Sequence, residues 1–418
     1  MEVLRIATAG SVDDGKSTLI GRLLYDTRSI TDDRLEAIDT ASKRKGLDFT
    51  DLSLLTDGLI AEREQGITID VAHIYFSTPT RKYIIADTPG HVEYTRNMIT
   101  GASTAQASLV LIDARNGVVE QTRRHLYIAS LLRMKDVIVC VNKMDLVDFD
   151  ALVFDTIREE VIGIAEQVGI APRTLHFIPV AAKEGDNVVA SSVHTPWYKG
   201  PSLLGLLEAL EPGKGKGDLP GRFPVQYVIR PSQDAFHDFR GYAGKIGSGR
   251  WAVGEEVVVL PSLRVATIAA IYKGEAPVDR AEAGESVTLT LKEDVDVSRG
   301  NMLVKSSERP YPEVTTFTAR IAWMDEQEMQ EGRTFLLQHG AQVVKVKVLA
   351  TEEVLDIHTF RKAADKKTFS LNDIGTVRLK SSRTLFLDRY AENPANGAFI
   401  LIDEFSNNTV AVGFVEKF

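Results

Sequence analysis

Apolar residues along the first 190 positions fall in short runs separated by segments of helical spacing. Leu4 to Ala9, Tyr83 to Ala86, Ser108 to Ile112, Val137 to Val141 and Phe177 to Val180 read as strands. Between the last two, Val153, Ile157, Val161, Ile164 and Val168 recur at the spacing of one helix face. Strands alternating with crossover helices predict an α/β domain with a mostly parallel sheet. A last helix, Leu203 to Leu210, runs into Glu211-Pro212-Gly213-Lys214-Gly215-Lys216-Gly217-Asp218, whose glycines and lysines do not support regular structure and predict a linker. Beyond it the pattern turns to short β-type runs bounded by Gly, Pro and Asp: Val225 to Ile229, Glu256 to Leu260, Val287 to Leu291, Val343 to Leu349 and Ala398 to Ile402. Such runs over about 200 residues predict two β-barrel modules. The expected division is a nucleotide-binding domain over 1–212, a linker over 213–220, and barrels over 221–309 and 310–418, with the barrel boundary near Arg309-Pro310.

The length of 418 residues is consistent with that count of domains, and 44% apolar with 26% charged residues is ordinary globular composition. A net charge of −9 gives no basic footprint for nucleic acid, so none is expected as a partner. Lys43-Arg44-Lys45 and Lys366-Lys367 are too short to count as more than solvated faces. The one cysteine, Cys140, lies inside the Val137 to Val141 run and reads as a core residue, which excludes a disulfide framework. The N-terminus has no signal-peptide pattern and no apolar run reaches membrane-spanning length, so the expected address is the cytoplasm, with no membrane partner.

Candidate chemistry begins where the first strand ends. Gly10-Ser11-Val12-Asp13-Asp14-Gly15-Lys16-Ser17 matches G-x-x-x-x-G-K-S/T and precedes the helical run Thr18 to Tyr25. In that context the backbone amides wrap phosphates at a helix N-terminus, Lys16 reaches the β- and γ-phosphates, and the Ser17 hydroxyl ligates Mg²⁺. Asp87-Thr88-Pro89-Gly90 ends the Tyr83 to Ala86 run, placing a carboxylate for the outer shell of the metal and a glycine amide for the γ-phosphate at the sheet edge. Asn142-Lys143-Met144-Asp145 follows the Val137 to Val141 run, where Asp145 is expected to accept hydrogen bonds from guanine N1 and N2. Adenine would leave that carboxylate unpaired, and such polar readout discriminates by roughly 10⁴–10⁵. GTP is the expected nucleotide.

Between the first two motifs lies Glu62-Arg63-Glu64-Gln65-Gly66-Ile67-Thr68-Ile69, where Thr68 would complete the Mg²⁺ ligation only with a γ-phosphate present, the logic of a loop ordered by GTP. His91, directly after Gly90, is the candidate for positioning the attacking water, a role that asks for orientation more than basicity. Catalytic candidates are therefore His91, Lys16 and Thr68, and metal candidates are Ser17, Thr68 and Asp87.

These motifs followed by two β modules resemble the translation-factor class of GTPases over essentially the whole chain. Asp57 to Ala72, Ala86 to His91, Tyr94-Thr95-Arg96-Asn97-Met98, Ile112-Asp113-Ala114-Arg115, Gln121 to His125 and Asp238 to Gly244 narrow it, being similar to the family of sulfate adenylyltransferase subunit 1, the large GTPase subunit of bacterial heteromeric ATP sulfurylase. Val297-Ser298-Arg299-Gly300-Asn301 is shared with the wider class. The resemblance implies GTP hydrolysis coupled to the reaction of ATP and sulfate to adenosine 5′-phosphosulfate and pyrophosphate. That chemistry would run on a separate small adenylyl-transferring subunit in a heterodimer or larger oligomer. The sequence has no Ser-Gly-Gly-x-Asp pyrophosphatase-type ATP loop, so ATP and sulfate are expected on the partner. Nor does a second phosphate loop follow residue 190, so the adenylylsulfate kinase fused to some family members is not expected in this stretch.

Two positions depart from related patterns. The Ser-Ala guanine-contacting motif reads Ala181-Ala182-Lys183, which removes a hydroxyl but keeps the Ala182 amide that would face guanine O6; the change bears on guanine affinity rather than specificity. Asp14 stands where tRNA-delivering factors carry histidine, which favours the sulfate-assimilation branch. The competing readings are an aminoacyl-tRNA carrier of the same three-domain plan, marked by salt-dependent tRNA binding, and a GTP-loaded scaffold, which a His91 substitution would leave unaffected.

Overall fold

In the computed structural model, which describes residues 3–44, 46, 50–55, 71–89, 95–211, 216–230, 239–308, 311–363 and 366–418, the first sheet has six strands. They are β1 (Val3–Ala9), β2 (Ala72–Ser77), β3 (Lys82–Asp87), β4 (Ala107–Asp113), β5 (Asp136–Asn142) and β6 (Leu175–Pro179), in the order β2-β3-β1-β4-β5-β6. Neighbours run parallel throughout except β2, which is antiparallel to β3. β4 is buried at every position and β5 at all but its first, as strands covered on both faces by helices must be, and this explains their unbroken apolar runs. Cys140 sits in that core, where burial pushes its thiol far above the usual range.

The helix Lys16–Asp26 (α1) packs Leu19 and Leu23, and the helix Leu203–Ala209 packs Leu203 and Leu207, into the same core as Ile6, Leu109 and Ile138. The expected crossover helix spans Ala151–Val168. Asp150 caps its start by accepting from the Leu152 amide, and Gly169 ends it in the left-handed conformation. Phe154, Ile157, Val161 and Ile164 are its buried stripe. Phe154 takes the core position while Val153 is half-buried, a one-residue rotation of the predicted face.

Several elements have no counterpart in the sequence reading, among them the helices Thr95–Ala102 and Glu120–Leu131, and two others show why. β2 is an edge strand whose exposed positions His73, Tyr75 and Ser77 alternate with half-buried or buried ones, so it lacks the long apolar run of the central strands. The helix Asp32–Arg44 (α2) is mostly polar, buries only Ile38 and Ser42, and carries its charges in helix-compatible order, Asp32 and Asp33 first and Lys43 and Arg44 last.

The chain separates into two compact units, Met1–Gly213 with Asp356–Arg361, and Lys214–Leu355 with Lys362–Phe418. The second unit holds two large antiparallel sheets and a two-stranded one, Arg250–Ala252 with Arg280–Glu282, as the β-rich half of the sequence predicts. One is centred on Glu256–Leu260 and Arg264–Lys273 and encloses Phe223, Tyr242, Trp251 and Ile268. The other closes on itself: Thr334–His339, Ala398–Ile402, Thr409–Lys417, Glu313–Trp323, Ile374–Phe386 and Gln342–Asp356 pair in turn, and the last pairs back to the first. Its core holds Phe317, Trp323, Phe335 and Phe369. The run predicted from Val225 to Ile229 is divided, with strands Arg222–Pro224 and Tyr227–Ile229 on either side of two connecting residues. Lys216–Asp218 forms one 3-10 turn where no regular structure is expected. Pro212 to Gly215 and the Arg309-Pro310 boundary lie outside the described residues.

Within the second unit a buried ion pair joins strand Arg222–Pro224 to Asp388, two residues past strand Ile374–Phe386. Arg222 donates from Nε and Nη2 to the two carboxylate oxygens of Asp388, both at 2.9 Å, and from Nη1 to Glu308 at 3.1 Å. Asn393 and Asn396 each donate to Asp388 Oδ2 at 3.0 Å, so the acceptor is satisfied from several sides.

Candidate nucleotide site

Gly10 to Ser17 connects the end of β1 to α1 through two left-handed residues, Asp13 with φ 67° and Gly15 with φ 89°. At Gly15 a side chain is also sterically excluded, because a Cβ there would lie 2.5 Å from Asn142 Nδ2. α1 has no side-chain cap, so its first amides remain directed at the loop. Lys16 is 7% exposed and folds over the loop, donating to the Gly10 carbonyl at 2.9 Å and the Ser11 carbonyl at 3.3 Å. Burial lowers its pKa, while the charges of Asp87, Asp14 and Asp13 oppose that shift. Asp14 is itself buried and accepts from the Ser11 amide at 2.6 Å; burial raises its pKa against that bond. Val12 is exposed on the outside of the loop and Ser17 is half-buried at the start of α1.

Asp87 ends β3 and is fully buried, accepting from the Thr8 hydroxyl at 2.8 Å. Thr88 donates its hydroxyl to the Thr8 carbonyl at 2.5 Å, and Pro89 is buried beside it. The β1–β3 register places Thr8 opposite Asp87, which is how a residue about eighty positions away reaches the phosphate loop. Thr68, Gly90 and His91 lie outside the described residues.

The other end is organised by Asn142 at the last position of β5. Its Nδ2 donates to the Asp14 carbonyl at 2.8 Å and its Oδ1 accepts from the Ala182 amide at 3.0 Å. One side chain thus links the phosphate loop to the Ala181-Ala182-Lys183 loop. The Ala182 amide, expected from sequence to face guanine O6, donates to Asn142 here. Lys143 adopts φ 62° and directs its ammonium to the Asp13 carbonyl at 2.5 Å and to Asp113 at 3.0 Å. Met144 is fully buried behind it, and Asp145 is half-buried with no hydrogen bond or ion pair to the described residues. Gly15, Thr18, Asn142, Lys143, Asp145 and Lys183 line a common cavity of about 1280 Å³, ample for a nucleoside.

The elongation factor Tu GTP binding domain matches residues 1–213, and the GTP-eEF1A C-terminal domain-like family matches residues 316–416. Sulfate adenylyltransferase subunit 1 of Sodalis glossinidius (strain morsitans) is 48% identical over 418 aligned residues, covering 99% of this chain and 86% of its own length. The chain belongs to the sulfate adenylyltransferase subunit 1 family. Bifunctional enzyme CysN/CysC of Mycobacterium tuberculosis (strain ATCC 25618 / H37Rv) is 47% identical, covering 99% of this chain and 67% of its own. A solved structure, sup35 complexed with GMPPNP, aligns with 100% of this chain and 94% of its own at 24% identity and TM-score 0.45. Residues 1–213 are accordingly a GTP-binding domain of the elongation factor Tu type.

In this subunit 1 family member, Asp113, quoted in the sequence only within the Ile112 to Arg115 resemblance, and Arg22, not singled out at all, join the site. Asp113, at the end of β4 and in register with Asn142, is 1% exposed. Burial acts to raise its pKa, but bonds from the Arg115 guanidinium and amide and from Lys143 prevail and hold it down to about 2. Arg22 of α1 donates to the Lys183 carbonyl at 3.2 Å and pairs with Asp26 at 2.9 Å. The sequence signal for Asp113 is its place directly after an apolar run, shared with Asp87 and Asn142; Arg22 sits mid-helix and has none. Among the described residues no group of three or more His, Cys, Asp or Glu is placed to hold a metal ion. A hydroxyl at Ser17 with the buried carboxylate of Asp87 is an all-oxygen set of the kind a hard divalent cation takes, with remaining positions left to phosphate and water.

Proposed function

We propose that this chain is the GTPase subunit of ATP sulfurylase, hydrolysing GTP to drive formation of adenosine 5′-phosphosulfate and pyrophosphate from ATP and sulfate on a small partner subunit. The observation that carries the reading is a guanine-type end, Asn142 joined to Asp14 and Ala182, in a chain related over its whole length to subunit 1 enzymes. Sulfate is a weak nucleophile and the phosphosulfate anhydride is high in energy, so the adenylyl transfer needs an external drive. GTP hydrolysis supplies it.

In this reading Lys16 neutralises β- and γ-phosphate charge, and Ser17 with Thr68 and Asp87 holds Mg²⁺, which offsets charge developing on the phosphoryl oxygens. Gly90 faces the γ-phosphate, His91 orients water, and Asn142 and Asp145 recognise guanine. The proposed arrangement of the chain is the one predicted from sequence, a nucleotide domain over 1–212, a linker over 213–220 and barrels over 221–309 and 310–418. Support for the ends of that division comes from the family matches over 1–213 and 316–416. Among the described residues no helix is long and apolar enough to cross a membrane, and the proposed working location is the cytoplasm.

The test is the GTP hydrolysis rate of the purified chain, alone and with the small subunit, ATP and sulfate, while adenosine 5′-phosphosulfate is followed. Hydrolysis that rises only in the complete mixture, with GTP-dependent product, is expected. Hydrolysis indifferent to partner, ATP and sulfate would remove the sulfurylase reading.

A further inference from the structure

Ala181-Ala182-Lys183 has no side-chain hydroxyl with which to fix its own turn. The loop is held by backbone bonds of its own: the Ala181 carbonyl accepts from the Glu184 amide at 3.1 Å and the Gly185 amide at 2.8 Å, and the Ala181 amide donates to the Asp186 carbonyl at 3.3 Å. Asn142 accepts from the Ala182 amide on one side. On the other, Arg22 of α1 donates from Nη1 to the Lys183 carbonyl at 3.2 Å, across 161 positions of sequence.

The Arg22 guanidinium is itself fixed. Its Nε donates to Asp26, one helical turn on, at 2.9 Å, and its central carbon lies 5.7 Å from the centroid of the Tyr25 ring. It also fills the space beside Gly185, where a Cβ would stand 2.6 Å from Nη2 and 2.7 Å from Nε. With φ 93°, Gly185 is required both by its conformation and by the side chain packed against it. A partly exposed ion pair such as Arg22 with Asp26 adds little to stability alone. Its consequence here is geometric: the planar fork serves a carboxylate and a loop carbonyl at once, which a lysine ammonium does less well.

Thr18, Arg22 and Tyr25 recur at i, i+4 and i+7, so they share one face of α1, and they line the nucleotide cavity with Ala182, Lys183 and Glu184. Lys16 opens the same helix. One rigid element therefore carries the phosphate-loop lysine and, about 9 Å further along its axis, the brace of the base-end loop.

We propose that Arg22 is a positioning residue for guanine recognition, holding the Ala181–Gly185 loop so that its backbone meets the O6 edge of the base, the task left open by the missing hydroxyl at Ala181. The proposal rests on the GTPase reading and deepens it. Arg22 bonds the loop and not the base, so its removal weakens the contact at position 6 and leaves recognition of N1 and N2 by Asp145 in place.

The experiment measures equilibrium binding of the full chain to GTP, to inosine triphosphate, which keeps O6 and lacks the N2 amino group, and to 6-thio-GTP, which keeps N1–H and N2 but has a weakly accepting sulfur for O6. Arg22→Ala is expected to lower affinity for GTP and inosine triphosphate in parallel, about 10-fold, with a smaller loss for 6-thio-GTP, so that the preference for GTP over 6-thio-GTP shrinks. Arg22→Lys is expected to restore part of that preference. Gly185→Ala, which displaces the guanidinium, should reproduce the pattern, and adding it to Arg22→Ala should cost less than adding it to wild type. Unchanged binding in Arg22→Ala, an equal loss toward all three nucleotides, or additive effects of the two substitutions would overturn the assignment while leaving the GTPase reading intact. A wild-type chain with no preference for GTP over ATP would remove that reading and this assignment together.

Discussion

The Asn142 side-chain amide donates to the backbone carbonyl of Asp14 across 128 positions of sequence, at 2.8 Å. The same amide group accepts from Ala182, so the loops at the phosphate and base ends of the site share one side chain. Asn142→Ala would leave a buried carbonyl and a buried amide unpaired, at about 1–3 kcal/mol each. GTP affinity is expected to fall on the order of 10²-fold, measured with a fluorescent GTP analogue, with a lower melting temperature of the nucleotide-free chain.

Asp145 lines the cavity and makes no hydrogen bond to the described residues, with Arg115 near enough to interact by charge. If it accepts from guanine N1 and N2, Asp145→Asn places a donor against two donors and loses two charge-assisted bonds, each about 1.5–3 kcal/mol. GTP binding is expected to weaken on the order of 10²–10⁴-fold while xanthosine triphosphate, which carries a carbonyl at C2, binds better than to wild type. Competition between the two nucleotides measures it.

Proposed water positioning by His91 gives a separate outcome. His91→Ala is expected to reduce the GTP hydrolysis rate on the order of 10²-fold or more with GTP affinity unchanged. Single-turnover hydrolysis read beside equilibrium binding separates the two effects, and an unchanged rate would favour a non-hydrolytic scaffold.

Asp113 predicts a pH dependence. Its folded pKa of about 2 lies below the ordinary carboxylate value of 3.8, held down by Arg115 and Lys143 against burial. A depressed carboxylate stabilises the fold fully above the unfolded pKa, and the contribution is lost as pH falls through the folded value. The shift is worth about 2 kcal/mol at neutral pH. Asp113→Asn should therefore lower the urea midpoint at pH 7, and the difference from wild type should shrink between pH 4 and pH 2.

Arg222 and Asp388 are 7% and 8% exposed at their side chains and bonded twice at 2.9 Å. Asp388→Ala leaves a buried guanidinium without its main partner, a change that costs about 3–5 kcal/mol. Chemical denaturation of the second unit is expected at lower urea, with GTP binding unaffected.

The position of the candidate motifs relative to the strands was legible from sequence alone. Gly10 to Ser17, Asp87 to Gly90 and Asn142 to Asp145 are each contiguous, each begins at or directly after the end of a strand, and a strand buried on both faces announces itself as an unbroken apolar run. The antiparallel half was legible as a class of short runs, though not as strand limits, because Arg222–Pro224 and Tyr227–Ile229 differ from their neighbours only by pairing. Tertiary structure alone decided what depends on distance. Asn142 meeting Asp14 and Ala182, Lys143 meeting Asp113, Arg222 meeting Asp388, and Arg22 meeting Lys183 all follow from sheet register and chain crossings. No local pattern encodes those partners, since propensity and periodicity act over a few residues, whereas these contacts form where the whole core sets two backbones side by side.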